Sequence, residues 1–153
     1  MERDEFRRYS QILHRLTADF VRAVPEDKWE FTPNARLGPF CEQVRHVVCV
    51  RGVYTTALAT GKVDWTRKRE HYTGPLTRPA LLDALDEKQR QLLATLETVD
   101  IHAVIDWDGT PFSFTIFTWE FVQHEAIHHG QWSVYAALGG FDTPASWRSS
   151  WGL

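Results

Sequence analysis

The chain has 153 residues, 43% of them hydrophobic and 24% charged, which suits a single globular domain over residues 1–153 and argues against disorder. The net charge is −3, and only one of the 17 basic residues, Arg148, lies beyond position 100, against five of the 20 acidic ones. That balance argues against a nucleic-acid partner, since such binders carry a basic excess that follows the phosphates. The first residues, MERDEFRRYSQILHRL, are charged throughout with no apolar signal core. No apolar run approaches the ~20 residues that cross a membrane.

Residues 3–24 predict a first helix, with Phe6, Tyr9, Leu13, Leu16, Phe20 and Val24 recurring at steps of three and four. A connection over residues 25–39 should tuck Trp29 and Phe31 onto the core. A second helix is expected from about Pro39 to Thr60, with proline in its first turn and Gly61 as its stop. Val44, Val47, Val48, Val50 and Val53 lie on more than one of its faces, so it is either deeply buried or meets another subunit. Cys41 and Cys49, eight residues apart on this helix, would sit about 12 Å apart. That exceeds disulfide reach, so both read as core residues and the expected location is the cytoplasm.

Residues 61–76 form a polar connection. Thr77 can cap a third helix over residues 78–98, with Pro79 in its first turn. Asp-Trp-Asp-Gly-Thr-Pro at residues 106–111 is a turn, across which Val104-Ile105 and Phe112-Ser113-Phe114 could pair. The fourth helix is expected over residues 114–139, stopped by Gly139-Gly140, with an aromatic and polar tail after it. Four long helical patterns predict an all-α four-helix bundle.

The fourth helix carries the chemistry. Its inward seam reads Phe114, Phe117, Phe121, His124, His128, Gln131, Tyr135 and Leu138. Two imidazoles one turn apart share a face, and both can reach one ion at about 2.0–2.1 Å. A histidine pair at this spacing can also be a solvated face, but burial without partners costs about 1–3 kcal/mol per group, which a shared ion removes. A third ligand is needed, and His46 is the best candidate, aligned with Val50, Val53 and Ala57 on the core side of the second helix. Alone it would read as a hydrogen-bonded core histidine. His14 belongs at the margin of the first stripe. His71 and His102 fall in connections and read as solvated, and His129 points about 100° away from His128.

The segments Pro-Glu-Asp-Lys-Trp after the first helix, CEQVRHVV around His46, HEAIHHGQ at residues 124–131 and the closing ALGGFDTP resemble the DinB-like (DinB/YfiT) four-helix bundles over nearly the whole length. The resemblance implies an up-down-down-up bundle, a homodimer, and a metal triad of His46, His124 and His128. His129 departs from the arginine that many members have there. Family members include thiol-dependent S-transferases and a thiol-dependent isomerase.

Gly130 suggests a close helix contact, because glycine inside a helix otherwise costs about 1 kcal/mol. Gln131 either binds a ligand or water near the metal or satisfies a buried backbone group. Glu42 and Glu120, each four residues before a proposed ligand, either accept the second imidazole N–H or are solvated carboxylates. No general base stands out, since Glu125 is turned about 100° from His124.

Three neutral imidazoles leave room for water or substrate, the open arrangement of a catalytic site. Imidazole ligation does not choose among zinc, nickel, iron and manganese. The leading expectation is a divalent-metal enzyme that activates a low-molecular-weight thiol against a small-molecule substrate. The alternatives are a metal-dependent hydrolase and a non-catalytic metal- or ligand-binding stress-response module.

Overall fold

The computed structural model describes residues 1–152. It contains α1 (Arg3–Ala23), α2 (Phe40–Thr60), α3 (Arg78–Thr98), β1 (Val104–Trp107), β2 (Thr110–Ser113), α4 (Phe114–Gly139) and α5 (Ala145–Trp151). Short 3-10 turns at Glu26–Lys28 and Lys68–His71 interrupt the two long connections. Among the described residues, no helix is long and apolar enough to cross a membrane.

Local chemistry explains most of the boundaries. Glu5 accepts a hydrogen bond from the Glu2 backbone N–H at 2.9 Å as α1 begins, where acidic groups also suit the helix dipole. Pro39 precedes the first residue of α2, and Gly61 ends that helix at φ +75°, a left-handed conformation that glycine adopts at little cost. Thr77 stands at the head of α3 with extended backbone but makes no side-chain cap. β1 and β2 pair antiparallel, with Val104 opposite Ser113 and Ile105 opposite Phe112. Asp108 and Gly109 turn between them at φ +50° and +84°, the two positive values of a type I′ hairpin. Ser113 then caps α4, its Oγ accepting from the Ile116 N–H at 3.3 Å.

Each of α1 and α2 packs against both α3 and α4. The core divides into two apolar clusters. One gathers Leu16, Phe20, Phe40, Val44, Leu81, Leu85, Trp132, Tyr135 and Trp147. The other gathers Phe6, Leu13, Val53, Tyr54, Leu92, Leu96, Phe114, Phe117 and Phe121. α1 and α4 start in the second cluster, whereas α2 and α3 start in the first. Between the clusters each helix turns polar residues inward: Thr17, Arg51, Gln89, Glu125, His128 and His129 are all buried. The candidate site lies in this layer.

The second helix resolves to deep burial, with Val44, Val47, Val48, Val50 and Val53 all buried, so its apolar breadth needs no partner subunit. The α1 stripe departs at Tyr9, which is 49% exposed while Ser10 is buried. The aromatic and polar C-terminal tail contains α5, which folds back onto α1. Its Trp147 donates from Nε1 to the Leu16 carbonyl at 2.7 Å and stacks 4.4 Å from Phe20.

Candidate metal centre

α2 and α4 bring His46, His124 and His128 together at the polar layer. The Nε2 atoms of His46 and His124 are 3.1 Å apart, those of His128 and His124 3.3 Å, and one ligand-capable atom from each ring lies within 4.8 Å of the others. Four-coordinate bonds of about 2.0–2.1 Å separate imidazole nitrogens by about 3.3–3.4 Å, so the spacing fits one ion. Hydrogen bonding alone fits less well. His124 Nε2 faces two other Nε2 atoms, and a neutral imidazole nitrogen offers either one N–H or one in-plane lone pair.

Burial holds all three rings neutral. His46, His124 and His128 are each pushed down to about 4, first by desolvation and then by a neighbouring imidazole, His128 acting on His46, His46 on His124, and His124 on His128. Lys68, on the connection that covers α2, lowers His46 and His124 further. Neutral imidazole is the form that ligates. His128 is 8% exposed, while His46 and His124 keep more contact with solvent, so the cluster is closed beneath and more open above. The Tyr54 ring lies 6.3 Å from that of His124.

The other expected residues divide. Gln131 lies beside His128 and raises its basicity. The Gln131 Oε1 and His128 Nδ1 are nonetheless both buried without a hydrogen-bond partner. Glu42 instead pairs with Arg45 one turn on. Glu120 is half-buried and acts electrostatically on Tyr54. The described contacts join neither carboxylate to a triad imidazole. Gly130 is exposed, and a Cβ there would meet nothing within 4 Å, which overturns the expected close helix contact: α4 turns position 130 outward. His71 is half-buried, its ring packed where a Gly52 side chain would be, whereas His102 is exposed.

A second polar constellation adjoins the triad. Arg51 and Glu125, 1% and 2% exposed, form a two-pronged pair, Nε to Oε1 at 2.5 Å and Nη2 to Oε2 at 2.8 Å. The guanidinium holds the Glu125 carboxyl below its ordinary range against the opposing effect of burial. Arg51 Nη1 also donates to His14 Nδ1 at 2.9 Å, which leaves His14 Nε2–H to donate to Asp86 at 3.1 Å. Burial and the Arg51 charge lower the His14 pKa accordingly. Thr17 donates to Glu125 Oε2 at 3.4 Å and lies 2.8 Å from His129 Nε2, so that nitrogen is the donor. His129 stays outside the triad as expected, but it is 3% exposed and stacks 4.7 Å from Trp147. The signal for this network was Arg51, a lone charge in the apolar run from Val47 to Ala57.

The sequence pattern of the DinB superfamily matches residues 10–132. The chain belongs to the DinB superfamily. A DinB-like protein of Bacillus subtilis has the same fold, with a TM-score of 0.72 at 15% identity over 92% of this chain and 95% of that one. A protein assigned to the DinB family from Exiguobacterium sibiricum 255-15 superposes with a TM-score of 0.72 at 21% identity, covering 92% of this chain and 93% of its own. No curated protein matches the sequence. Both structural likenesses speak to the DinB fold alone. The triad of this member rests on its own geometry.

Proposed function

We propose that this DinB-superfamily chain binds one divalent metal ion through His46, His124 and His128 and acts as a metal-dependent enzyme on a small molecule, with a low-molecular-weight thiol as its nucleophile. The observation that carries the reading is the convergence of three neutral Nε2 atoms, two of their separations being 3.1 and 3.3 Å. A divalent ion held there would supply Lewis acidity that lowers the pKa of a thiol or a water. The chain's own residues supply the rest. His128 anchors the set from the buried side, and Gln131 lies beside it and raises its basicity. A cavity of about 300 Å³, lined by Val53, Thr56, Asp64, Arg67, Glu70 and His71, is not where a substrate would meet the ion. It lies two turns along α2 from His46, about 10 Å, and not over the imidazoles.

The same proposal includes an up-down-down-up order, supported by α1 and α4 starting in one apolar cluster and α2 and α3 in the other. It also includes a homodimer. Ile116, Trp119, Ile127, Val134 and Leu138 are 42–63% exposed, and their spacing sets them along one outward stripe of α4 that passes Gly130. Sedimentation of the pure protein should give twice the chain mass, and Ile127→Glu should return it to one. Two buried, free cysteines suit a reducing, cytoplasmic setting.

The reaction is tested with a panel of low-molecular-weight thiols and an alkyl halide, with and without zinc, nickel or manganese. Metal-dependent thioether formation supports thiol transfer. Metal-dependent cleavage of an ester panel without thiol supports the hydrolase reading. Saturable ligand binding with no turnover in either panel favours a non-catalytic module.

A further inference from the structure

We propose that the buried Arg51–Glu125 pair is a positioning device for the histidine cluster, fixing the register of α2 against α4 so that His46 meets His124 and His128. The inference rests on the metal-binding reading for its consequence, although the positioning itself is a property of the metal-free chain.

Both halves of the pair come from the two helices that supply the cluster. Arg51 follows His46 by five residues on α2, and Glu125 directly follows His124 on α4. The contact has two prongs, 2.5 and 2.8 Å long, and a planar fork on a carboxylate constrains direction as well as distance. The remaining bonds lock the pair to the rest of the bundle. Arg51 Nη1 reaches His14 on α1, His14 reaches Asp86 on α3, and Glu125 Oε2 accepts from Thr17 on α1. A shift of one residue along α2 is about 1.5 Å with a rotation of about 100°, enough to break both prongs. The valines and phenylalanines at the same interface pack without such directionality.

A purely stabilising role accounts for the pair less well. Both groups are 1–2% exposed, and removing two charges from water costs so much that apolar replacements are often as stable or more so. What such a pair adds is a unique alignment, and here the alignment is the one the three imidazoles require.

The test is the double variant Arg51→Met with Glu125→Leu, compared with wild type and with Arg7→Met plus Glu97→Leu, which removes an exposed pair between α1 and α3. Three quantities are measured: the melting temperature of the metal-free protein, zinc affinity by chelator competition, and ring-to-ring nuclear Overhauser effects between His46 and His124 without metal. The expected result is a melting temperature at or above wild type, zinc affinity weakened about 10–100-fold, and loss of the His46–His124 cross-peak. The Arg7/Glu97 control should change neither cluster readout. If the double variant does not fold, Arg51→Lys keeps the charge, removes the fork, and should weaken the cross-peak and the affinity in the same direction. Wild-type affinity together with an intact cross-peak in the folded double variant overturns the proposal. If wild type itself takes up no zinc while the variant still loses the cross-peak, the positioning role stands and the metal reading falls.

Discussion

Acidifying the metal-free protein from pH 7.5 to 5.5 is expected to destabilise it by several kcal/mol, and the polar layer sets the size of the effect. His124, His128 and His129 are each pushed down to about 4, with burial the largest cause, whereas an unfolded histidine titrates near 6.5. Between those values the unfolded chain takes up protons that the folded chain refuses, so stability is whole above about pH 6.5 and falls as the pH drops toward 4. At pH 5.5 an unfolded imidazole is about 90% protonated and a folded one only about 3%, which costs about 1.3 kcal/mol per residue relative to pH 7.5. The three residues together cost about 2–4 kcal/mol, the lower figure allowing for the field that His124 and His128 share. His46, less enclosed, adds a smaller amount in the same direction. Urea unfolding followed by tryptophan fluorescence reads the difference directly, since a typical urea slope of about 1–3 kcal/mol per molar turns it into a midpoint shift of roughly 1 M or more. Added zinc should restore part of the loss at pH 5.5, because it occupies the lone pairs that protons would take. A urea midpoint unchanged between the two pH values would show that the imidazoles are solvated or charged in the folded chain, and the buried polar layer would be wrong.

Three further outcomes follow from particular contacts. Trp147→Ala removes a buried indole, its 2.7 Å bond to the Leu16 carbonyl and its packing on Phe20 and His129, and should cost about 3–5 kcal/mol in thermal or urea unfolding. A cost under about 1 kcal/mol would mean that α5 is not docked. Gly52→Ala would set a methyl group 2.4 Å from His71 Cγ, so the Lys68–His71 turn must lift away. Hydrogen exchange there should quicken, and unchanged exchange would contradict the packing. Glu42→Ala removes only the partner of Arg45 on the surface. It should alter stability by about 0.5 kcal/mol or less and leave zinc affinity at the wild-type value, whereas a marked affinity loss would favour Glu42 as the acceptor of an imidazole N–H over a solvated carboxylate.

Periodicity made the long helices legible, because each of α1 to α4 is long enough for its apolar residues to repeat through several turns. Proline, threonine and glycine near their ends marked the boundaries. The histidines were legible through spacing: His124 and His128 differ by one turn, and His46 sits in a valine stripe. The phase of α4 was harder. Nearly every face of that helix carries apolar residues, so a seam through Gln131 and Leu138 read as well as the actual one. The structure turns Trp132 and Ala136 inward and leaves Leu138 63% exposed. Arg51 and Glu125 escaped for a related reason. A charge in a helix reads as solvent-facing unless its partner is known, and the two are 74 residues apart in sequence. The seven residues of α5 span two turns, too few for a period to emerge from an aromatic tail.

The most direct test of the central claim is the metal content of the purified, untagged protein by elemental mass spectrometry, measured beside His124→Ala. About one divalent ion per chain is expected in the wild type, and its loss in the variant. No bound ion in the wild type, even after reconstitution with zinc, nickel or manganese, would contradict that claim and leave His46, His124 and His128 as a polar core without a metal.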